Sequence, residues 1–343
     1  MTAVRTTHLL LRPLSDADVS DPRILLWHTA PEGYALMAEE PSTDTEAADR
    51  LSAWRQQWAE EGLGYWIAER DGQPVGIGGV RPMEHQGTRY LNLYYRLAPE
   101  GRGRGLAAEI AQAAVAFALE HYPQLPVVAR IAAGNEPSLR TVRRSGMVGL
   151  GPFRMPHDPP GMPDNLLFQS PAVRLGLDDT YEEVLDLWQR VNAAGGAVGF
   201  EGDAPRADVA RALDRHLGAE GCTLLRLHAP TLDTFDDPAR VGPLVGFGFV
   251  QQGTSPVVAH RGTLYRVMTD PDRRGQRLGT LLVAALHGTA RRQGVEICEI
   301  SYRGGTGLDR FYAPLGYAET GRVAGGLRFS WGDVDDVTMA RRL

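Results

Sequence analysis

Two short runs of arginine and glycine carry the clearest chemistry in the sequence. Arg102-Gly103-Arg104-Gly105-Leu106-Ala107 follows a strand-like run, Tyr90 to Pro99, and opens an amphipathic helix, Leu106 to Tyr122. Arg274-Gly275-Gln276-Arg277-Leu278-Gly279 stands 172 residues later, between the run Gly262 to Pro271 and a helix from Leu278 to Gln293. The first backbone N–H groups of a helix have no intrahelical acceptor and sit at the positive end of its dipole. Glycines let the chain curl until these groups converge on one anion. The pattern therefore predicts anion cradles, with a pyrophosphate as the expected ligand. A dinucleotide-binding turn is the rival reading, because Gly103, Gly105 and Ala108 also fit its spacing. That turn needs an acidic residue in the following strand, and Val127 to Ala133 contains none.

The elements that position these turns repeat. Each turn is followed by its helix, an apolar strand (Val127 to Ala133; Val295 to Tyr302), a short helix and a glycine ending, Ser145-Gly146-Met147 and Leu315-Gly316-Tyr317. Apolar residues at helical spacing define the buried faces, Leu106, Ile110, Ala113 and Phe117 in one copy and Leu278, Leu281, Leu282, Ala285 and Leu286 in the other. Upstream, Thr43 and Glu46 predict a capping box for a helix from Thr45 to Glu61. Asp71-Gly72 predicts a hairpin between Tyr65 to Glu69 and Val75 to Val80. In the second half, helices Tyr181 to Ala193 and Ala207 to Leu217 precede strands Thr223 to His228 and Leu244 to Val250, which a polar insertion, Ala229 to Pro243, separates. Met155 to Pro163 reads as a proline-rich loop, and the expected domains are residues 1–171 and 172–343.

Composition removes several classes of function. The chain has 343 residues, a net charge of −6 and no lysine, so all 36 positive side chains are arginine. Without lysine there is neither a pyridoxal phosphate Schiff base nor a P-loop. The acidic balance argues against nucleic acid. Two cysteines are too few for a disulfide framework, and no signal or membrane-length apolar segment stands out, so a cytoplasmic protein with no membrane partner is expected. The nine histidines lack helical pairing, and no metal is expected. Oligomeric state is not readable.

At the arginine–glycine turns the sequence resembles the GNAT family of acetyl-CoA-dependent N-acyltransferases, whose signature is Gln/Arg-x-x-Gly-x-Gly/Ala. Arg102, Gly105 and Ala107 match it; the second copy matches at Arg274 and Gly279, with Arg277 where the middle glycine belongs. His8 to Leu14, with Asn135-Glu136-Pro137-Ser138, makes the first half similar to the branch that acetylates ribosomal-protein N-termini and small amines. The resemblance implies an α+β fold: two tandem domains, each a mixed, mostly antiparallel sheet flanked by helices and splayed between its fourth and fifth strands. Acetyl-CoA would lie there, its pyrophosphate on residues 102–107 and 274–279 and its pantetheine amides paired with backbone around Leu97 and Thr269. Asn135 and Ser138 would contact pantetheine near the sulfur.

Amine acetylation needs a neutral amine, donors for the oxyanion and a proton for the departing thiolate. Phe311-Tyr312-Ala313-Pro314-Leu315-Gly316-Tyr317 is similar to the family segment whose tyrosine protonates coenzyme A, which makes Tyr312 the candidate acid. Alignment on Gly146 and Gly316 puts Val142 opposite Tyr312, leaving Ser138 as the first domain's catalytic candidate. Glu84 and His85 are its candidate bases; Asn92 stands where the related branch often has a carboxylate. His260, Glu299 or a water chain could serve in the second domain. The acidic group Glu39, Glu40, Asp44, Glu46 and Asp49 could attract a cationic amine or simply favour a helix start. The expected activity is acetyl transfer to a primary amine of a small molecule or peptide N-terminus. Alternatives are a mycothiol synthase-like tandem enzyme and a non-enzymatic acetyl-CoA sensor.

Overall fold

The computed structural model describes residues 3–34, 40–85, 87–154, 164–196, 199–202, 204–237 and 240–343. The chain forms two compact units: Met1–Ala118, Gln124–Pro171 and Pro230–Arg240 make the first, and Leu119–Pro123, Ala172–Ala229 and Val241–Leu343 the second. The proline-rich stretch 155–163 and Glu39 lie outside the described residues.

The first unit is built on an eight-stranded sheet ordered Val4–Arg5, Leu10–Pro13, Tyr65–Arg70, Gln73–His85, Thr88–Leu97, Val127–Ala132, Asn165–Gln169, Val148–Phe153. Its helix Asp44–Glu61 begins at the expected capping box, where Thr43 and Glu46 exchange hydrogen bonds, and stops at Gly62 with φ +66°. Ala47, Leu51, Trp54 and Trp58 recur every three or four residues and are buried. Asp71 and Gly72, both at positive φ, close the hairpin between Tyr65–Arg70 and Gln73–His85.

The second unit has seven strands, ordered Ala318–Phe329, Gly332–Arg342, Ile297–Arg303, Arg261–Thr269, Leu244–Gln252, Cys222–His228, Ala172–Leu175. Helix Leu278–Arg292 lays Leu281, Leu282 and Leu286 against this sheet, each wholly buried side chain contributing about 1.5–3 kcal/mol. Helices Tyr181–Ala193 and Arg206–Leu217 pack Trp188, Val209 and Leu213 on Phe247, Phe249 and Met268.

Among the described strands of each sheet, one neighbouring pair is parallel, and that pair separates after a short contact. Thr88–Leu97 meets Val127–Ala132 only at Leu91↔Val127 and Asn92↔Val128. Arg261–Thr269 meets Ile297–Arg303 only at Arg261↔Ile297, Gly262↔Cys298 and Thr263↔Glu299. Beyond these pairs the strands splay, leaving Leu93–Leu97 and Leu264–Thr269 with a free edge toward the gap.

The insertion between Cys222–His228 and Leu244–Gln252 is not simply polar loop. It contains a helix, Leu232–Asp236, started by a Thr231–Thr234 capping box. Phe235 is buried with Tyr90, Val128 and Leu167 and stacks on His85 at 6.0 Å, which groups the segment with the first unit.

Candidate functional site

Each splayed strand runs into an arginine–glycine turn with the same backbone course. A short 3-10 turn, Pro99–Gly101 or Pro271–Arg273, ends at an extended arginine, Arg102 (φ −72°, ψ 157°) or Arg274 (φ −58°, ψ 150°). Gly103 and Gly275 then swing to φ +74° and +79°. The next left-handed position is Gly105 at φ +77° in the first turn and Arg277 at φ +61° in the second. Arg277 therefore keeps the curl that glycine makes freely, at a strain of about 1–2 kcal/mol for an L-residue.

The curls leave the amides of Gly103 to Ala108, and of Arg277 to Thr280, without acceptors among the described residues; the first helical bonds are Glu109 N–H to Gly105 O and Leu281 N–H to Arg277 O. A Cβ placed on Gly103, Gly105 or Gly275 would meet nothing within 4 Å, so the hollow in front of these amides is open. Leu106 and Leu278 are buried and pin each helix start to its sheet. Arg102 donates from Nε to Leu97 O at 3.4 Å, and Arg274 from Nη2 to Ala194 O at 3.4 Å; Gln276 N–H reaches Arg273 O. Both turns thus fit a diphosphate: free donors, the positive end of a helix and room for the anion. Gly279 answers to Ala107 and is small for a local reason, since a Cβ there would lie 3.2 Å from Phe311 Cζ.

Leu97 and Thr269 lie on the free edges, at the turn end of their strands. Asn135 and Ser138 sit at the start of helix Glu136–Arg143, after the far strand of the first gap. Asn135 Oδ1 accepts the Ser138 N–H at 3.2 Å, and Tyr95 donates from its hydroxyl to Ser138 O at 3.0 Å. Asn135 is thereby a helix cap. In the second unit Tyr312 ends the helix Asp309–Tyr312, edge-on to Phe311 and Tyr317. Its hydroxyl hydrogen-bonds to nothing among the described residues, and burial of the ring pushes its pKa up to about 12. Val142, at the aligned position of the first unit, is completely buried.

The candidate bases are not gathered at the gaps. Glu84 is exposed and lies opposite Arg89 in the strand register, well along the hairpin from the Arg81↔Asn92 position at the gap's apex, and His85 is stacked on Phe235. In the second unit Glu299 is ion-paired to Arg261, and exposed His260 receives the Glu296 and Ile297 amides on its carbonyl.

Sequence reasoning missed two groups. In the first unit Tyr65 accepts on its hydroxyl from Asn92 Nδ2 at 2.6 Å and Arg81 Nε at 3.3 Å, while its ring meets Trp54 and Tyr94 at 4.8 and 5.2 Å. Burial raises its pKa, so the hydroxyl stays protonated beside the gap's apex. Asn92 serves as a clamp on that hydroxyl. In the second unit the register breaks opposite Gly248, and Arg266 sits in the resulting bulge with φ +53°. Neither group has a local motif; each depends on strand register.

Two family matches accord with this architecture. A match to the family described as "Acetyltransferase (GNAT) domain" covers residues 8–148, and one to "Acetyltransferase (GNAT) family" covers residues 220–317. Similar solved structures include a GNAT-family acetyltransferase from Streptococcus pneumoniae, 16% identical over 51% of this chain and 100% of that one, TM-score 0.41. Ribosomal-protein-alanine N-acetyltransferase from Brucella melitensis is 18% identical over 50% of this chain and 99% of its own, TM-score 0.40. The yncA protein of Salmonella typhimurium, solved with its cofactor acetyl-CoA, is 15% identical over 51% and 94%, TM-score 0.40. Two splayed sheets, each feeding an arginine–glycine turn and each matched by its own family description, make this chain a member of the GNAT acetyltransferase family with two domains in tandem.

Proposed function

We propose that the protein transfers the acetyl group of acetyl-CoA to a primary amine, of a small molecule or a peptide N-terminus, by direct attack on the thioester, with the second unit performing the chemistry. The observation that carries this reading is Tyr312: a protonated, unpartnered hydroxyl in the unit that also keeps the open turn and the splayed strands. The 274–279 turn holds the diphosphate, and the free edge ending at Thr269 aligns the pantetheine amides. The amine lone pair forms the C–N bond as the C–S bond breaks. Tyr312 gives its proton to the departing sulfur and recovers one from the new amide nitrogen through water. At a pKa of about 12 the phenol is fully protonated at neutral pH, so the acid is present without prior titration.

Tyr312→Phe tests this directly. It should lower kcat about 10²–10⁴-fold, the usual contribution of a positioned general acid, while the KM for acetyl-CoA changes little. Unchanged thiol release in that variant would remove Tyr312 from the mechanism. Buried Val142 in the first unit favours a second reading, division of labour, in which the first unit binds acetyl-CoA but does not use this acid.

A further inference from the structure

The geometry points to Arg266 as the group that selects the acceptor of the second unit: its guanidinium edge takes the carboxylate of an amine that also bears an apolar side chain. This inference rests on the acyl-transfer reading and names the substrate class for that same site.

Three observations converge. The first is direction. Leu264 pairs with Val250, while Tyr265 pairs with Phe249 and Met268 with Phe247, on the face covered by helices Tyr181–Ala193 and Arg206–Leu217. Strict alternation from Tyr265 would turn Arg266 and Met268 to the opposite face. The bulge adds one residue, and Arg266 joins Tyr265 and Met268 beneath those helices. The first unit keeps continuous register through the equivalent Tyr94.

The second observation is strain that the fold maintains. A left-handed non-glycine residue inside a strand costs about 1–3 kcal/mol and is characteristic of functional sites. Here it lies three residues beyond the last parallel pair, on the strand that borders the gap.

The third is an unspent charge. Arg266 Nε donates to His216 Nε2 at 3.3 Å, and its Cζ lies 5.4 Å from the Trp188 ring centroid. Burial holds the His216 pKa down to about 4, with Arg266 and Arg215 adding to the shift, so His216 is a neutral acceptor. The charged and titratable groups acting on Arg266 are Arg215 and Tyr265; no carboxylate pairs with it among the described residues. Nη1 and Nη2 make no hydrogen bond there, and Gly199 packs against them so closely that a Cβ on it would collide. A half-buried guanidinium without a counter-ion is unfavourable unless a ligand completes it. Two parallel N–H donors on one planar edge match a carboxylate bidentately. The exposed ring of Tyr265, on the same face beside His216, favours an apolar neighbour on the same acceptor.

The test is calorimetric titration of the full chain, with and without saturating coenzyme A. Ligands are L-phenylalanine, L-methionine and L-leucine, each against its carboxamide, and O-phosphoethanolamine. At least one amino acid should bind about tenfold more tightly than its amide, and Arg266→Gln should abolish that preference. Arg266→Lys, which keeps charge but loses the fork, should restore only part of it. Unchanged circular dichroism and coenzyme A affinity in the variants exclude misfolding. Equal binding of acid and amide, no binding of any pair at millimolar concentration, a preference that survives in Arg266→Gln, or tighter binding of O-phosphoethanolamine would each overturn the assignment. Carboxylate preference without thiol release from acetyl-CoA would leave it standing and defeat the acyl-transfer reading instead.

Discussion

Arg277 carries a backbone burden that Gly105 does not, because both occupy the left-handed position before a helix start but only Arg277 has a Cβ to crowd its own carbonyl. Arg277→Gly should therefore stabilise the second unit by about 1–2 kcal/mol while leaving acetyl-CoA affinity within a factor of a few, since the amides and not the side chain form the cradle. Thermal melting and titration of the variant check both parts. Unchanged or lowered stability would show that the side chain compensates for the strain. The turn itself was legible because its information is local: glycine spacing and a helix start. Arg266 and Tyr65 were not legible, because one depends on a bulge opposite Gly248 and the other on a clamp reaching across register from Asn92 and Arg81.

Helices and strands show the same division between local and distant information. The Thr43–Glu46 box and the Asp71-Gly72 turn announced their elements because capping and hairpin chemistry act within four residues. The helix inside the Ala229–Pro243 insertion escaped notice because its one large apolar anchor, Phe235, finds its partners in residues distant in sequence. Helix Pro22–Thr29 supplies a test at this scale. It buries His28 completely against Trp54 of helix Asp44–Glu61, with neither ring nitrogen hydrogen-bonded among the described residues. Burial, aided by Arg96 and Arg50, lowers the His28 pKa to about 3. With the folded pKa below the unfolded value of about 6.5, the unfolded chain takes up the proton first. The stabilisation is present above pH 6.5 and is lost as pH falls toward the folded pKa near 3. His28→Phe should therefore lose less melting temperature between pH 7 and pH 4 than the parent chain. An equal loss in both would show that other groups govern acid unfolding.

Across the whole molecule, the same device occurs twice with different equipment. Both units keep splayed strands and an open turn; the second has Tyr312 and the Arg266 bulge, while the first has Val142 and the Tyr65 clamp. Repetition was visible in the sequence because the two turns and their flanking elements recur at nearly constant separation. The differing equipment was visible only in part: the Tyr312–Val142 contrast could be aligned, whereas the bulge and clamp required three-dimensional register. The described residues contain no helix long and apolar enough to cross a membrane and no cluster suited to a metal ion. The account rests on main-chain amides at both turns binding a diphosphate. Calorimetric titration of the intact chain with acetyl-CoA, beside Gly105→Asp, tests that most directly, because the substitution puts a carboxylate into the open hollow of the first turn alone. About two molecules should bind per chain, falling to about one in the variant, from charge repulsion at that turn. Absence of binding to the intact chain, or identical stoichiometry and affinity in the variant, would contradict it.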